Sequence, residues 1–225
     1  MAYEQESIAL MATGTKSRTK PGRPLKPLIT KEAAITAAID LVDREGLDGL
    51  SVQAVARVMN VTAPSLYYHF KDKDELLQLV ARALLREVGQ QSHETTDWEE
   101  RAVELAVATR RVILRHCHAA PLMLRFFPRN LMLGAYETTL RDCPYPPHTH
   151  AAILESIEKL TYGASLFAAA AEAYHNPTMP MFEATRYPLL ADALAKAPGD
   201  DEALFVESIR LLFDGFRLRY GGNKR

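Results

Sequence analysis

Five side chains within seven positions have the chemistry to contact DNA: Ala63, Ser65, Tyr67, Tyr68 and His69. A small residue allows close approach, hydroxyl groups donate to phosphates or base edges, and aromatic rings meet thymine methyl groups and sugars. A helix that carried them on its outer side would suit a DNA groove. The alternative is that these residues form the half-buried surface of an ordinary helical bundle. The flanking elements distinguish between the two interpretations.

The stretch that begins at Ser51 has the pattern of a short helix. Ser51 is a favourable N-cap, and an apolar stripe at helical spacing follows it. Asn60 comes directly after the stripe, where a left-handed backbone is needed to end the helix. The stripe comprises Val52, Val55, Ala56 and Met59.

A second short helix is predicted immediately after Asn60. Thr62 can cap it, and Pro64 falls in the first turn, where its missing N–H group does no harm. Leu66 and Phe70 are four residues apart and point towards a small core. The five groove-suited side chains are therefore left on the outer side and at the amino-terminal end.

One further helix is predicted before this pair, over residues 31–45. Its apolar face comprises Ile35, Ala38, Ile39 and Val42. The glycine-containing segment 46–50 then ends the helix and leads to Ser51. Three short helices in this order predict a helix-turn-helix unit.

The pattern resembles the TetR family of one-component transcriptional regulators. The resemblance lies in A-x-x-L-x-x-x-x-G-L-x-x-L-S, from Ala38 to Ser51, and in V-T-x-x-x-L-Y-Y-H-F-x-x-K, from Val61 to Lys73. It implies that residues 62–69 form the recognition helix. The implied DNA-contacting residues are Ser51, Gln53, Thr62, Ala63, Pro64, Ser65, Tyr67, Tyr68, His69 and Lys73.

Composition predicts a soluble protein of the cytoplasm. The hydrophobic fraction of 48% is sufficient for a real core, and the two cysteines do not form a disulfide framework. No apolar run is long enough to span a membrane, and the amino terminus lacks the apolar core of a signal peptide.

The net charge of the chain is −1, but its basic residues are concentrated near the amino terminus. Six lysines and arginines occur without an acid over residues 16–31, among prolines and glycines. Residues 1–28 are therefore predicted to be a flexible arm. The sequence around Arg23 resembles the core of an AT-hook, which would enter a minor groove, and a solubilising tail is the alternative.

The remaining sequence predicts an all-α protein of two domains. Residues 29–75 form the expected helix-turn-helix DNA-binding domain, and residues 76–225 form the expected ligand-binding and dimerisation domain. A long helix over residues 73–91 would carry a displacement between them. Further helices are predicted over residues 98–117, 130–142, 148–174, 183–196 and 200–220, with a short turn at 121–127.

The helices over residues 148–174 and 200–220 are more apolar than lone surface helices need to be. We therefore expect them to pair with their symmetry mates in a homodimer. The apolar residues behind this expectation are Ile153, Ile157, Leu160, Ala164, Phe167, Leu204, Ile209, Leu212, Phe213 and Phe216.

Aromatic and sulfur side chains of the middle helices are candidates for an effector pocket. Each could equally be plain core. The candidates are His116, Met123, Phe126, Phe127, Met132, Tyr136, Tyr162, Phe167 and Tyr174. The carboxy-terminal half also resembles the tetracycline-repressor branch, in which a histidine near the sixth helix binds the magnesium that accompanies tetracycline. Met123 falls at that position, so we expect a metal-free, largely hydrophobic effector.

Other reactive side chains form no catalytic or metal-binding pattern. His116, Cys117 and His118 are adjacent, so a helix would point them in different directions. Phosphate-loop, nucleophile-elbow and zinc-protease motifs are absent. We therefore expect no catalytic residue, no metal and no cofactor.

These features together predict a dimeric repressor that binds a pseudo-palindromic DNA operator and is released by a small-molecule effector. Two alternatives stay open. One is an activator or corepressor-dependent regulator of the same fold, and the other is a helical enzyme or adaptor with an inherited DNA-binding head.

Overall fold

The computed structural model describes residues 29–89, 95–126, 129–177 and 179–221. Within these ranges the fold is all α-helical, without a β-strand, as the sequence predicted. The helices are α1 Lys31–Gly49, α2 Val52–Val58, α3 Ala63–Leu66, α4 Lys73–Gly89, α5 Trp98–Arg115, α6 Ala120–Arg125, α7 Arg129–Arg141, α8 His150–Ala173, α9 Pro188–Ala195 and α10 Asp201–Tyr220.

The first three helices pack around a small apolar core. Val52, Val55 and Ala56 are buried, and Met59 packs against them, as the stripe predicted. Leu66 and Phe70 are also buried. Because α3 has only four residues, burial of these two side chains rather than helix propensity must hold it in place.

The turn between α2 and α3 is left-handed at Asn60, with φ of 54°. The Val61 N–H donates to the Ala56 carbonyl at 2.9 Å, and the Asn60 N–H donates to the Arg57 carbonyl at 3.1 Å. These two bonds form a Schellman motif, which satisfies carbonyls at the end of α2. The predicted role of Asn60 is confirmed.

The regular part of α1 ends where it was predicted to end, because Gly46 has a non-helical backbone with φ of 74°, and a second short helical segment continues to Gly49. The predicted end of the recognition helix was wrong. The regular part of the recognition helix covers only Ala63–Leu66, and residues 67–69 continue as turns. The His69 N–H donates to the Leu66 carbonyl, so the backbone tightens after the first turn.

Helix α4 belongs to the same core as the head. Its buried residues include Leu77, Val80, Ala81, Leu84 and Val88, the face that the sequence predicted. Residues of α5 and α6, among them Val112 and Met123, complete that core. A displacement of α6 would therefore press on α4 through packed side chains.

The carboxy-terminal helices enclose a second core. Helices α5, α8 and α10 pack against one another around Trp98, Ile153, Ile209 and Phe213. The Trp98 ring meets the Phe213 ring edge to face at 6.0 Å, and its N–H donates to the Thr139 carbonyl of α7 at 2.7 Å. Asp97 and Asp200 cap α5 and α10.

Most apolar residues on which the dimer expectation rested pack inside one chain. Ile153, Ile209, Phe213 and Phe216 are buried, while Ile157, Leu160, Ala164 and Leu212 pack against them. Only Phe167 and Leu204 of that set are exposed. The spacing of apolar residues alone could not show which side of a helix packs inside its own chain and which side would face a second copy.

The described part of the chain contains no helix long and apolar enough to cross a membrane.

Helix α9 is shorter than the predicted range 183–196. Its first regular residue is Pro188.

Candidate DNA-binding and effector sites

The outer side of the head carries two exposed tyrosines. Tyr68 is 90% exposed and Tyr67 is 47% exposed, next to the buried Leu66. Gln53, Thr62, Pro64 and Lys73 are exposed, and Ser51, Ala63, Ser65 and His69 are half-buried. The structure thus brings the DNA-contact candidates within residues 51–73 together on the helix-turn-helix unit and its continuation into α4.

Two hydroxyl groups of this surface serve the fold. Ser51 Oγ accepts a hydrogen bond from the Ala54 N–H at 3.0 Å, which confirms the predicted cap. Thr62 occupies the N-cap position of α3, but its side chain caps no backbone group. Thr62 Oγ1 instead lies 2.8 Å from Ser65 Oγ, so the predicted cap was wrong and this pair fixes the rotamers of both side chains.

Two side-chain hydrogen bonds to the backbone fix the entry into α4. Asp72 Oδ1 accepts from the Glu75 N–H at 2.8 Å, and Glu75 Oε2 accepts from the Lys71 N–H at 2.8 Å. The backbone around Lys71 and Lys73 is therefore fixed. Both side chains are exposed beside the recognition helix. Lys71 was not predicted as a DNA contact, although the sequence shows its charge and its position next to the predicted recognition helix.

The effector candidates converge in part. Met123 is buried in the head core, and Phe126 and Tyr162 pack against that core. Met132 and Tyr136 are half-buried on α7. The Tyr136 hydroxyl lies 3.7 Å from the Met132 sulfur, so the five candidates form one pair on α7 and one group that shares the head core.

A carboxylate that was not predicted from the sequence, that of Glu158 on α8, links α8 to α7. The Tyr136 hydroxyl donates to Glu158 Oε1, and Arg129 Nη2 lies 2.8 Å from Glu158 Oε2. Burial, with a smaller effect from Glu158, raises the pKa values of Tyr136 and Tyr162, so both phenols are neutral at physiological pH. No local sequence pattern marks Glu158, because it is 22 residues from Tyr136.

Three other effector candidates have different surroundings. Both ring nitrogens of His116 face carboxylates, those of Asp43 and Glu87, rather than Tyr136 or Tyr162. Phe167 on α8 and Tyr174, directly after that helix, are exposed, so they do not face the interior of the chain. Phe127 lies outside the described residues, as does the arm residue Arg23.

Two open clefts lie away from the predicted pocket. One, of about 440 Å³, includes Leu114, Glu172 and Asp201 in its walls. The other, of about 710 Å³, lies beside α9 and includes Met181, Phe182 and Leu190. Among the residues that the structure describes, no group of three or more His, Cys, Asp or Glu side chains is placed to hold a metal ion.

Two family models match the chain. Residues 34–80 match the model described as bacterial regulatory proteins, tetR family. Residues 91–220, more than half of the chain, match the model described as tetracyclin repressor-like, C-terminal domain.

Curated relatives are regulators. An HTH-type transcriptional regulator of Saccharopolyspora erythraea is 32% identical over 124 residues, which cover 50% of this chain. The match spans about half of that relative, 52% of its length. The class D tetracycline repressor protein of Escherichia coli is 27% identical over 199 residues, which cover 85% of this chain and 90% of the repressor.

Solved structures share the fold over most of the chain. TetR from Acinetobacter baumannii AYE superposes with a TM-score of 0.68 at 26% identity, covering 85% of this chain and 98% of that one. ActR of Streptomyces coelicolor, in complex with (S)-DNPA, superposes with a TM-score of 0.65 at 25% identity, covering 84% and 98%.

Proposed function

The chain belongs to the TetR family of bacterial transcriptional regulators, and we propose that it is a dimeric repressor that a small-molecule effector releases from a pseudo-palindromic operator. In this proposal residues 29–75 bind DNA, and residues 76–225 bind the effector and form the dimer. The observation that carries the proposal is the pair of exposed tyrosines, Tyr67 and Tyr68, in the turns directly after α3, between the buried Leu66 and Phe70.

The proposed DNA contacts combine base recognition with phosphate binding. Tyr67 and Tyr68 offer rings and hydroxyl groups, and His69 offers an imidazole, which suits base edges and thymine methyl groups. Gln53 and Lys73 flank the helix and suit phosphate or base-edge oxygens. Pro64 and Ala63 are small enough at the helix tip to permit close approach.

Exposed apolar side chains support the proposed dimer. Leu204, Leu211 and Leu218 are seven residues apart along α10, and all are exposed in the single chain. Phe167 on α8 is exposed as well. Residues seven apart lie on one side of a helix, so α10 has an uncovered apolar strip that a second copy would bury.

A symmetric dimer would present two recognition helices to one face of the DNA. Two-fold heads of this kind bind half-sites about 34–36 Å apart, or one helical turn. The proposed operator is therefore an inverted repeat. The arm that contains Arg23 would add sequence-independent contacts to the backbone or the minor groove.

The proposed effector site is formed by side chains of α6, α7 and α8 and of the residue that follows α6. Met123, Phe126, Met132, Tyr136 and Tyr162 would supply apolar contacts and phenol groups. An aromatic compound with a few hydrogen-bonding groups fits these surroundings. The small molecules in related structures, (S)-DNPA with ActR and minocycline with a TetR variant of A. baumannii, lead us to test aromatic compounds first.

The effector would bind without magnesium. Met123 stands where the tetracycline-repressor branch has a histidine, and a thioether is a poor ligand for this hard cation. Affinity of the effector for the protein is therefore expected to be the same with magnesium and with a chelator.

Release requires that the effector bind the DNA-incompetent state more tightly than the competent one. Helix α4 continues from Lys73, beside the recognition helix, to the core that it shares with α6. A shift of α6 around an effector would tilt α4 and change the separation of the two heads.

Selection of bound fragments from the source genome with the purified protein tests the proposal. We expect an inverted repeat to be recovered at physiological salt. Recovery of unrelated or merely A·T-rich fragments would contradict it. Minocycline and related aromatic compounds are then added to the recovered complex: loss of binding supports a repressor that is released, while tighter binding would indicate a corepressor.

A further inference from the structure

We propose that His116 is a positioning residue: through the carboxylates of Asp43 and Glu87 it joins the end of α5 to α1 of the DNA-binding head and to α4, which connects the head with the effector domain, and its protonation changes how firmly these helices are held together. The link itself stands on the geometry around His116. Its consequence for DNA binding rests on the proposed function.

The imidazole lies between α1 of the head and α4, the helix that leads from the head into the effector domain. His116 Nδ1 is 2.7 Å from Asp43 Oδ2 of α1. His116 Nε2 is 3.5 Å from Glu87 Oε2 of α4. One side chain at the end of α5 thus contacts both α1 and α4.

The site is shielded from solvent. The His116 side chain is 13% exposed, and Asp43 and Glu87 are about one third exposed, at 30% and 33%. Asp43 Oδ1 is buried and has no hydrogen-bond partner among the described residues. The Asp43 carboxylate therefore depends on His116 for the hydrogen bond that offsets its burial, and a lost partner would leave a buried charge unsatisfied.

The protonation state of the ring decides how many of these contacts are favourable. A neutral imidazole has one N–H, so it can donate to only one of the two carboxylates. A protonated imidazole has two N–H groups and a positive charge, so it can donate to both. Imidazole is the side chain whose ordinary titration range includes neutral pH.

Other charged and titratable groups surround the link. Arg115 pairs with Glu87 and partly neutralises it, while His116 meets Asp43 without such help. Cys117 and His118 follow in the same turn, and Glu172 of α8 raises the pKa of the Cys117 thiol to a small extent, after burial. Burial keeps that thiol neutral at physiological pH, so the charges in contact with the ring are those of Asp43 and Glu87, while Glu172 acts on the neighbouring Cys117.

Protonation and head position are then linked. If the protonated ring holds α1 and α4 more firmly, any event that moves the head away must change the proton affinity of His116 by the same factor. Operator affinity would accordingly vary with pH, and the sense of the variation would report which head position the link favours.

Hydrogen exchange of the full chain, without DNA, tests the link directly. Amide exchange is compared between about pH 5 and about pH 8 after correction for the intrinsic effect of pH. For the wild type we expect amides near Asp43 and Glu87 to open about fivefold less at the lower pH. His116→Gln, which keeps a neutral N–H donor but does not titrate, is expected to remove this difference.

Matched variants separate positioning from simple stability. His118→Gln alters the neighbouring histidine, which makes neither contact, and should retain the wild-type pH response. Asp43→Asn keeps an acceptor but removes the charge, and should reduce the response. An equal pH response in the wild type and His116→Gln would overturn the proposal.

A second experiment measures binding of the protein to the operator fragment recovered from the genome. We expect the wild-type dissociation constant to change about fivefold over the same pH range, and the His116→Gln constant to stay level. Parallel pH profiles in both proteins would refute the coupling. If no operator is recovered, the proposed function fails, whereas the exchange measurement still decides the link.

Discussion

Tyr67 and His69 carry the most specific expectation at the scale of single residues. Each offers a polar group and a ring on the outer side of the recognition helix. Replacement of either by alanine should weaken operator binding by about 1–3 kcal/mol. The change is measured as a ratio of dissociation constants on the recovered operator.

Tyr187→Ala provides the control for this prediction. Tyr187 is 45% exposed, close to the 47% of Tyr67, but it lies at the start of α9. Its replacement should leave operator affinity unchanged. Unchanged affinity in Tyr67→Ala and His69→Ala as well would refute the placement of the recognition helix.

Asn60 offers a separate test of local conformation. Its φ of 54° strains any residue with a side chain, and asparagine tolerates this region better than alanine does. Asn60→Ala should lower the free energy of unfolding by about 1 kcal/mol, whereas Asn60→Gly should be neutral or stabilising. Denaturant unfolding of both variants measures the difference, and equal losses would contradict a left-handed requirement.

Residue roles were predictable where they depend on neighbours in sequence. Ser51, Asn60 and Pro64 have the expected local roles because a cap, a turn and a first helical position involve only a few adjacent residues. His116 was different. Its partner Asp43 is 73 positions away, so the sequence indicated a pocket residue where the structure has a contact between helices.

Packing stabilises the recognition helix at the scale of elements. With four regular residues, α3 cannot form by propensity alone, and Leu66 is fully buried beneath it. Leu66→Ala should lower the free energy of unfolding by about 2–5 kcal/mol. Leu124→Ala, an exposed leucine of the short helix α6, should cost far less. Similar losses in thermal or denaturant unfolding would show that α3 does not depend on this core.

Helix identity followed from periodicity, while some helix lengths did not. The apolar face of α4 was predicted because five inward residues recur at helical spacing. The end of α3 was not, because residues 67–69 leave the regular helix although their sequence still permits one. We attribute the end of α3 to the packing of Leu66 and Phe70. This packing involves residues from distant parts of the chain, including α1 and α4.

The proposed dimer belongs to the scale of the whole molecule. Leu211 is 60% exposed at the middle of the apolar strip on α10. Leu211→Asp would place a charge in the buried interface and should yield monomers, measured by sedimentation. Leu133→Asp is the control, because Leu133 is 63% exposed on α7 and outside the strip. A dimeric Leu211→Asp variant would contradict the proposed interface.

Assembly was the least predictable feature of the molecule. The sequence indicated that α8 and α10 are more apolar than one surface requires, yet it could not divide those residues between the chain's own core and an outer face. The structure makes that division: Ile209 and Phe213 are buried, and Leu211 and Leu218 are exposed. Only three-dimensional packing separates two apolar faces of one helix.

A footprint of the protein on its recovered operator, combined with the mass of the complex, tests the central claim most directly. We predict one dimer per site and two protected half-sites of inverted sequence, with centres about one helical turn, or roughly 10 base pairs, apart. A single continuous footprint without sequence symmetry, or a monomer on the DNA, would contradict the account.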